Sequence, residues 1–456
     1  MKELSYKRTS IFKTADEAEK QKIFAYAEGY KNFIDSAKTE REAVSYIVRE
    51  AEAKGYLPFA FGEKLKAGDK RYLNNRNKSV ILFRVGSADV GEDGVRIVAS
   101  HIDAPRIDLK QNPLYEKDGI AFFKTHYYGG IKKYQWTAFP LALHGVIFLA
   151  DGTKREVAIG EDPSDPVFYI SDLLPHLSAK QNTKTLAEAI EGETLNLWVG
   201  QMPSKDEEDN AVSYAVLQIL NEKYGICEED FLCAELSAVP AVKARDVGFD
   251  RALVGAYGHD DRVCAYPSLT ALLDNEDGVH TVFAVFADKE EIGSEGVSGM
   301  QCEAFIDLIN EVAASFGVSA AKVRSRSKCL SADVTVAYDP NFADVYEKNN
   351  ASLLSCGAGV NKYTGARGKS GSNDAGAEYL QELRALFAKE GVVWQMSELG
   401  KVDAGGGGTV AKFIAKYNID TVDIGVPVIS MHSPFEVISK ADLYSLERAF
   451  AAFIKG

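Results

Sequence analysis

The sequence predicts an α/β protein: a mostly parallel central sheet flanked by helices, interrupted by a β-rich insertion. Three observations carry this prediction. After about residue 250, apolar strand-like runs alternate with helical segments, the pattern of a parallel sheet covered by helices on both faces. The run Thr281 to Phe286 is almost continuously apolar, as expected of a strand buried on both sides. Between 110 and 249 the texture changes to short β-like pieces, such as Gly145 to Leu149 and Glu156 to Ile159, with an acidic patch at Asp206 to Asp209. The core domain is therefore expected over 1–109 and 250–456, and the inserted domain over 110–249.

The chain opens with helices. Thr14 with Glu17, and Thr39 with Glu42, have capping-box spacing, in which each side chain satisfies an orphan amide of the first turn. Gly55 is a suitable stop. Strands follow at Val80 to Phe83 and Val95 to Ala99, the second leading directly to His101. Beyond the insertion, the predicted order is a strand over Thr281 to Phe286 and a helix from Glu303 to Phe316, ended by Gly317. Then come a strand from Ala332 to Ala337, a helix from Asp374 to Lys389 and a strand from Val392 to Gln395. The last elements are a helix from Thr409 to Tyr417, a strand from Thr421 to Val428 and a closing helix from Ser439 to Ile454, capped by Ser439 with Asp442.

Composition narrows the function. The 456 residues suffice for two or three domains. A formal net charge of -14 disfavours nonspecific binding to nucleic acid or an anionic membrane. The six cysteines form no C-x-x-C pair and read as reduced thiols. No apolar stretch follows the charges of Met1 to Arg8, and no run approaches the roughly 20 residues that span a bilayer. A cytoplasmic location is expected.

Five short segments end in metal-binding residue types: Ser100-His101-Ile102-Asp103, His259-Asp260-Asp261-Arg262, Asp288-Lys289-Glu290-Glu291, Ser331-Ala332-Asp333 and Met431-His432-Ser433. In an extended chain residues i and i+2 face one side, so Asp103 can bond one imidazole nitrogen of His101 while the other binds metal. Asp260 stands where a strand yields to a helix, and its two oxygens allow it to bridge two cations. Capping of that helix is the simpler reading of either Asp260 or Asp261 taken alone. Glu290 and Glu291 follow an apolar strand at its C-terminal end, where open α/β sheets place their sites. Two adjacent carboxylates repel; a metal on one relieves this and leaves the other to accept a proton. Asp333 is a charge inside an apolar strand, which requires a compensating cation. His432 also follows an apolar run. Each residue has an ordinary structural explanation by itself, but together they supply what a metal pair needs. The donors exclude a thiolate site and suit zinc, with manganese or cobalt also compatible. The inventory points to a hydrolase that activates water.

These ordered motifs resemble the aspartyl-aminopeptidase family of dinuclear zinc metallopeptidases, over nearly the whole chain. The resemblance implies that His101 and Asp333 hold one ion, Glu291 and His432 the other, and that Asp260 bridges them. Glu290 would be the general base and Asp103 would orient His101. It implies a dimerisation role for the insertion, assembly into a tetrahedral dodecamer, and a histidine of the insertion, matched best by His176, reaching a neighbouring subunit's site. Asp403 would contact the substrate amine. The segment Gly258 to Arg262 is closer to glutamyl and tetrahedral aminopeptidases, which leaves Asp260 or Asp261 as the bridge. The divergent segment Lys362 to Ser372 leaves open whether acidic N-terminal residues are preferred. An acidic side chain needs a local cation, and Lys362, Arg367 and Lys369 are the candidates. Gly406, within the glycine run before Thr409, could offer backbone amides to substrate. The expected function is removal of N-terminal residues from peptides. The alternatives are another dimetal amidohydrolase (a carboxypeptidase or deacylase) and a non-catalytic assembly protein with a peptidase-like fold.

Overall fold

The computed structural model describes residues 4–276 and 278–456. Met1 to Glu3, which open the stretch read above for a leader, lie outside the described residues. The chain divides into two compact units. One comprises Met1–Asp103, Ala244–Met431 and Glu436–Gly456; the other comprises Ala104–Lys243 and His432–Phe435.

The first unit is built on a nine-stranded sheet. Its centre is parallel: Val282–Ala287 pairs with Arg96–His101, which pairs with Lys328–Ser331, which pairs with Asp420–Gly425. Towards the edges it is mixed, with antiparallel neighbours at Ser79–Arg84 and Ala358–Asn361. Alternate side chains of Val282–Ala287 enter different cores. Val282, Ala284 and Phe286 join one cluster, and Phe283, Val285 and Ala287 the other. That double burial is why the strand is apolar at every position. The helices Glu40–Ala53, His259–Asp274 and Lys440–Lys455 contribute to the first cluster, and Ala304–Ser315 to the second. A five-stranded sheet carries Arg245–Val247, Leu253–Ala256, Glu436–Ser439, Pro427–Ile429 and Thr335–Val336, in that order.

The helix ends follow side-chain chemistry. Thr39 and Glu42 form the expected capping box. Asp16, not Thr14, caps the helix Glu17–Ser36 by accepting from the Glu19 amide, because a short helix Ile11–Thr14 already uses the preceding residues. Ser439 caps the last helix, but Asp442 turns away and accepts from the amides of Ser355 and Gly357, each at 2.7 Å. The expected strand Thr421 to Val428 is two strands in different sheets, Asp420–Gly425 and Pro427–Ile429. Pro427 cannot donate a ladder hydrogen bond and marks the break. Likewise the strand predicted over 332–337 is Lys328–Ser331 followed by Thr335–Val336, and Asp333 lies on the crossing between the two sheets.

The second unit is a six-stranded antiparallel sheet ordered Lys154–Ile159, Leu141–Phe148, Ala234–Pro240, Arg106–Lys117, Ile120–Tyr128 and Leu197–Gly200. A helix over Ala211–Tyr224 buries Val212 and Val216 against Ala121. Among the described residues, no single helix is long and apolar enough to cross a membrane.

Candidate metal centre

The parallel strands place chemistry at their C-terminal ends. His101 is the last residue of Arg96–His101 and lies beside Ala287, the last residue of its neighbour, so the segment Asp288 to Glu291 begins where His101 ends. Lys328–Ser331 pairs on the other side of the same strand and delivers Asp333 two residues beyond its end. Asp260 comes from the smaller sheet. It follows Leu253–Ala256 and opens the helix His259–Asp274 with non-helical backbone angles.

His101, Asp260 and Asp333 offer ligand atoms that all lie within 4.8 Å of one another, and all three residues are buried. His101, Glu290 and Glu291 form an overlapping group within the same limit. The His101 imidazole is held from behind. Its Nδ1 lies 3.2 Å from Asp103 Oδ1 and 3.1 Å from the Asp103 carbonyl, which accept from Nδ1–H. Nε2 is thereby aimed forward, 3.1 Å from Asp260 Oδ1 and 4.0 Å from Glu290 Oε2. Asp103 does more than orient the ring. Its two oxygens also accept the backbone amides of Glu290 and Glu291 at 3.1 and 3.2 Å. One buried carboxylate thus fixes a histidine and both glutamates.

Electrostatics show what the cluster attracts. Burial pulls the His101 imidazolium down, but Asp103 and Asp260 outweigh it and hold its pKa well above the ordinary value. Burial drives the Asp333 carboxyl well above the carboxylate range, and Glu290, Asp261 and Asp260 push it further against the opposing pull of His101. Buried carboxylates gathered around one imidazole favour a bound cation. Its donors are imidazole nitrogen and carboxylate oxygen, the set that takes zinc. The residues present therefore fit divalent metal.

The choice between neighbouring aspartates is geometric. Asp260 belongs to the ligand group, while Asp261 Oδ2 accepts the His101 backbone amide at 3.1 Å and is fully buried. Glu436 accepts the Asp260 amide at 3.1 Å and pairs in register with Ala256. It is a charge inside an apolar run, the same signal that singled out Asp333, and the sequence reading passed over it. The strands Pro427–Ile429 and Glu436–Ser439 form a hairpin, and His432 lies in the connection between them. His432 has φ of 67°, a left-handed conformation uncommon for a non-glycine residue, and its Nδ1–H donates to the Gly130 carbonyl at 2.8 Å. The close approach of Gly425 to the Asp333 segment is equally specific: a Cβ there would sit 1.9 Å from the Asp333 carbonyl oxygen.

His176 is exposed on a short 3-10 turn, Pro175–Leu177, of the second unit. Lys362 is ion-paired with Asp374, which Lys369 also contacts at 3.2 Å. The helix expected from Thr409 begins at Ala411 and has five residues. The glycine run does not wind into its N-terminus. Gly406–Gly407 is instead a short strand paired with Gly365–Ala366, because a run without side chains can approach another backbone closely. Asp403 is exposed, with φ of 67°.

The family model for aminopeptidase I zinc metalloproteases (M18) matches residues 33–454. The chain belongs to the M18 aminopeptidase family. It is 48% identical to a probable M18 family aminopeptidase 1 of Clostridium acetobutylicum over 448 residues, 96% of either chain. The crystal structure of aminopeptidase I from that organism covers 99% of this aminopeptidase and 100% of its own chain, at 46% identity and a TM-score of 0.93. An M18 aminopeptidase structure from Thermotoga maritima covers 99% of each chain, with 42% identity and a TM-score of 0.94. A more distant dodecamer, mApe1 of S. cerevisiae, is 20% identical with a TM-score of 0.77 and shares the fold. The aminopeptidase is accordingly a metal-dependent hydrolase of peptide bonds, of a zinc family.

Proposed function

We propose that this aminopeptidase works with two divalent ions, most simply zinc, and that the residues of the candidate centre divide as follows. His101 and Asp333 serve one ion, Glu291 and His432 the other, and Asp260 both. The observation that carries the proposal is the pair of overlapping ligand groups that meet at His101, with four carboxylates gathered around one imidazole. Bound there, the ions would acidify water and polarise the first peptide carbonyl. The protein's own contribution is positional. Glu290, anchored through its amide by Asp103, accepts the proton of the attacking water and returns it to the leaving amine. Asp103 keeps Nε2 of His101 pointing at the ligand group and keeps Glu290 level with it.

Selection of the N-terminal residue is proposed for the segment containing Lys362, Arg367 and Lys369, with Asp403 and Gly406 near the substrate amine and backbone. Asp374 is shared by two of these cations, which leaves the set net cationic but only partly available to an acidic side chain. One panel tests function and preference together: aminoacyl-anilides and peptides blocked at either end, assayed after chelation and refilling with zinc, manganese or cobalt. Activity is expected only on free amino termini and only after refilling. Lys362→Glu is expected to lower kcat/KM for aspartyl and glutamyl substrates roughly fivefold to tenfold more than for leucyl ones, the size of a partly exposed ion pair of about 1 kcal/mol. Equal effects on both classes would remove Lys362 from substrate selection, and cleavage of amino-blocked peptides would replace the aminopeptidase reading with the deacylase one.

The second unit is proposed to mediate dimerisation, with His176 directed at a neighbouring subunit and dimers assembling into a tetrahedral dodecamer. Leu173, Leu174 and Leu177, exposed close together in sequence, are in keeping with a covered surface there. Sedimentation at micromolar concentration should give a twelve-subunit mass; a monomer would reject the assembly. The six free cysteines are in keeping with a reducing, cytoplasmic location. Activity and free thiols both recovered from a cytosolic fraction would support it, and recovery from a membrane or secreted fraction would refute it. Peptides are the expected partners, with no nucleic acid or membrane.

A further inference from the structure

The turn that carries Asp260 is fixed by residues far from it in sequence. His259 is completely buried, and its two ring nitrogens face different elements. Nε2 lies 3.1 Å from the Val254 carbonyl, in the strand just before the turn. A carbonyl only accepts, so Nε2 carries the hydrogen. Nδ1, 2.6 Å from the Tyr30 hydroxyl, is then the acceptor, and Tyr30 donates to it. Tyr30 belongs to the helix Glu17–Ser36, is itself fully buried, and stacks on the His259 ring with centroids 5.6 Å apart. From the other side Glu436 accepts the Asp260 amide. The backbone that presents Asp260 is thus held between the small sheet and the N-terminal helix, and the Tyr30 hydroxyl is the helix's polar contact with it.

We propose that Tyr30 is a positioning residue for the metal centre, acting through His259 to set the orientation of Asp260. The inference rests on the reading of Asp260 as a metal ligand. Apolar packing alone would require only the aromatic ring. Phe33, one turn further along the same helix, shows what such packing looks like: it stacks on Tyr266 at 5.5 Å and meets the edge of Tyr46 at 4.9 Å, with no polar group involved. The hydroxyl of Tyr30 adds direction. It fixes which His259 nitrogen is protonated and so keeps the ring bonded to Val254.

The test titrates metal-stripped full-length protein with cobalt, reading the dissociation constant and the visible absorption of the bound ion. Tyr30→Phe is expected to weaken cobalt binding roughly tenfold, the low end of the loss typical of outer-sphere partners, and to change the absorption envelope. Phe33→Leu is expected to lower the melting temperature while leaving affinity and spectrum as they are. Unchanged affinity in Tyr30→Phe, or an equal loss in Phe33→Leu, would overturn the inference. If Tyr30→Phe does not fold, His259→Gln is measured in the same way, and unaltered binding by that variant overturns it as well. Asp260→Ala separates the two levels. Metal retained in Asp260→Ala removes the ligand assignment itself, whereas metal lost there but kept in Tyr30→Phe removes only the role of Tyr30.

Discussion

Glu290→Gln is expected to keep its metal and lose about 10²–10⁴-fold in kcat. The substitution keeps the shape of the side chain and the backbone amide that Asp103 holds at 3.1 Å. It removes only the oxygen basic enough to take a proton. Glu290 stands slightly back from the most buried ligands, with Oε2 4.0 Å from His101 Nε2 and some access to solvent, where a base that shuttles protons between water and a leaving amine must be. It shares a ligand-capable group with His101 and Glu291 but not the fully buried one of His101, Asp260 and Asp333. Steady-state kinetics on a leucyl anilide, with metal content measured on the same sample, separates the two roles. A proportionate fall in kcat at unchanged metal content identifies the base. Near-normal turnover would require another residue to do this work.

Asp260→Ala is expected to abolish activity for a different reason, through loss of metal. Asp260 lies at the junction of the ligand set, with one oxygen 3.1 Å from His101 Nε2. Removing it takes away a ligand that both proposed ions share. The clearest measurement is thermal. An ion that binds only the folded protein adds about 2.7 kcal/mol of stability at a concentration 100 times its dissociation constant. Wild type should therefore melt higher as zinc is added, and Asp260→Ala should not respond. Without metal the variant also loses the buried contact of Asp260 with His101 Nε2, so the comparison is of the zinc-dependent rise within each protein and not of the absolute melting temperatures. A zinc-dependent rise in melting temperature that survives Asp260→Ala would show that the centre is built on other ligands.

Much of this was legible in the chain itself. The apolar run at Val282–Ala287 announced a strand buried on both faces, and the structure feeds its alternate residues into two cores. Asp333 was conspicuous as a charge in an apolar context, and Glu436 could have been found by the same signal. Capping at Thr39 was readable because it involves residues only three apart. The departures share a cause. Pro427 splits an apparently single strand between two sheets, and the glycines at 406 and 407 form a paired ribbon instead of a helix entrance. Local pattern likewise did not announce Asp374 as the ion-pair partner of Lys362 and Lys369. In each case the partner is supplied by packing or a turn that local pattern does not specify.

The sequence by itself determined the donor chemistry, the order of the ligand-bearing segments and their positions after apolar strands, because periodicity and residue type are local properties. Only the tertiary structure decided that Asp260 and not Asp261 joins the ligand group, that Asp103 holds two glutamate amides as well as a histidine, and that Tyr30 reaches the turn through His259. These depend on which backbone amide or ring nitrogen a side chain meets across more than a hundred residues of chain. Hydrogen-bond direction at such contacts is set by the folded arrangement of donors and acceptors, and neighbours in sequence carry no record of it.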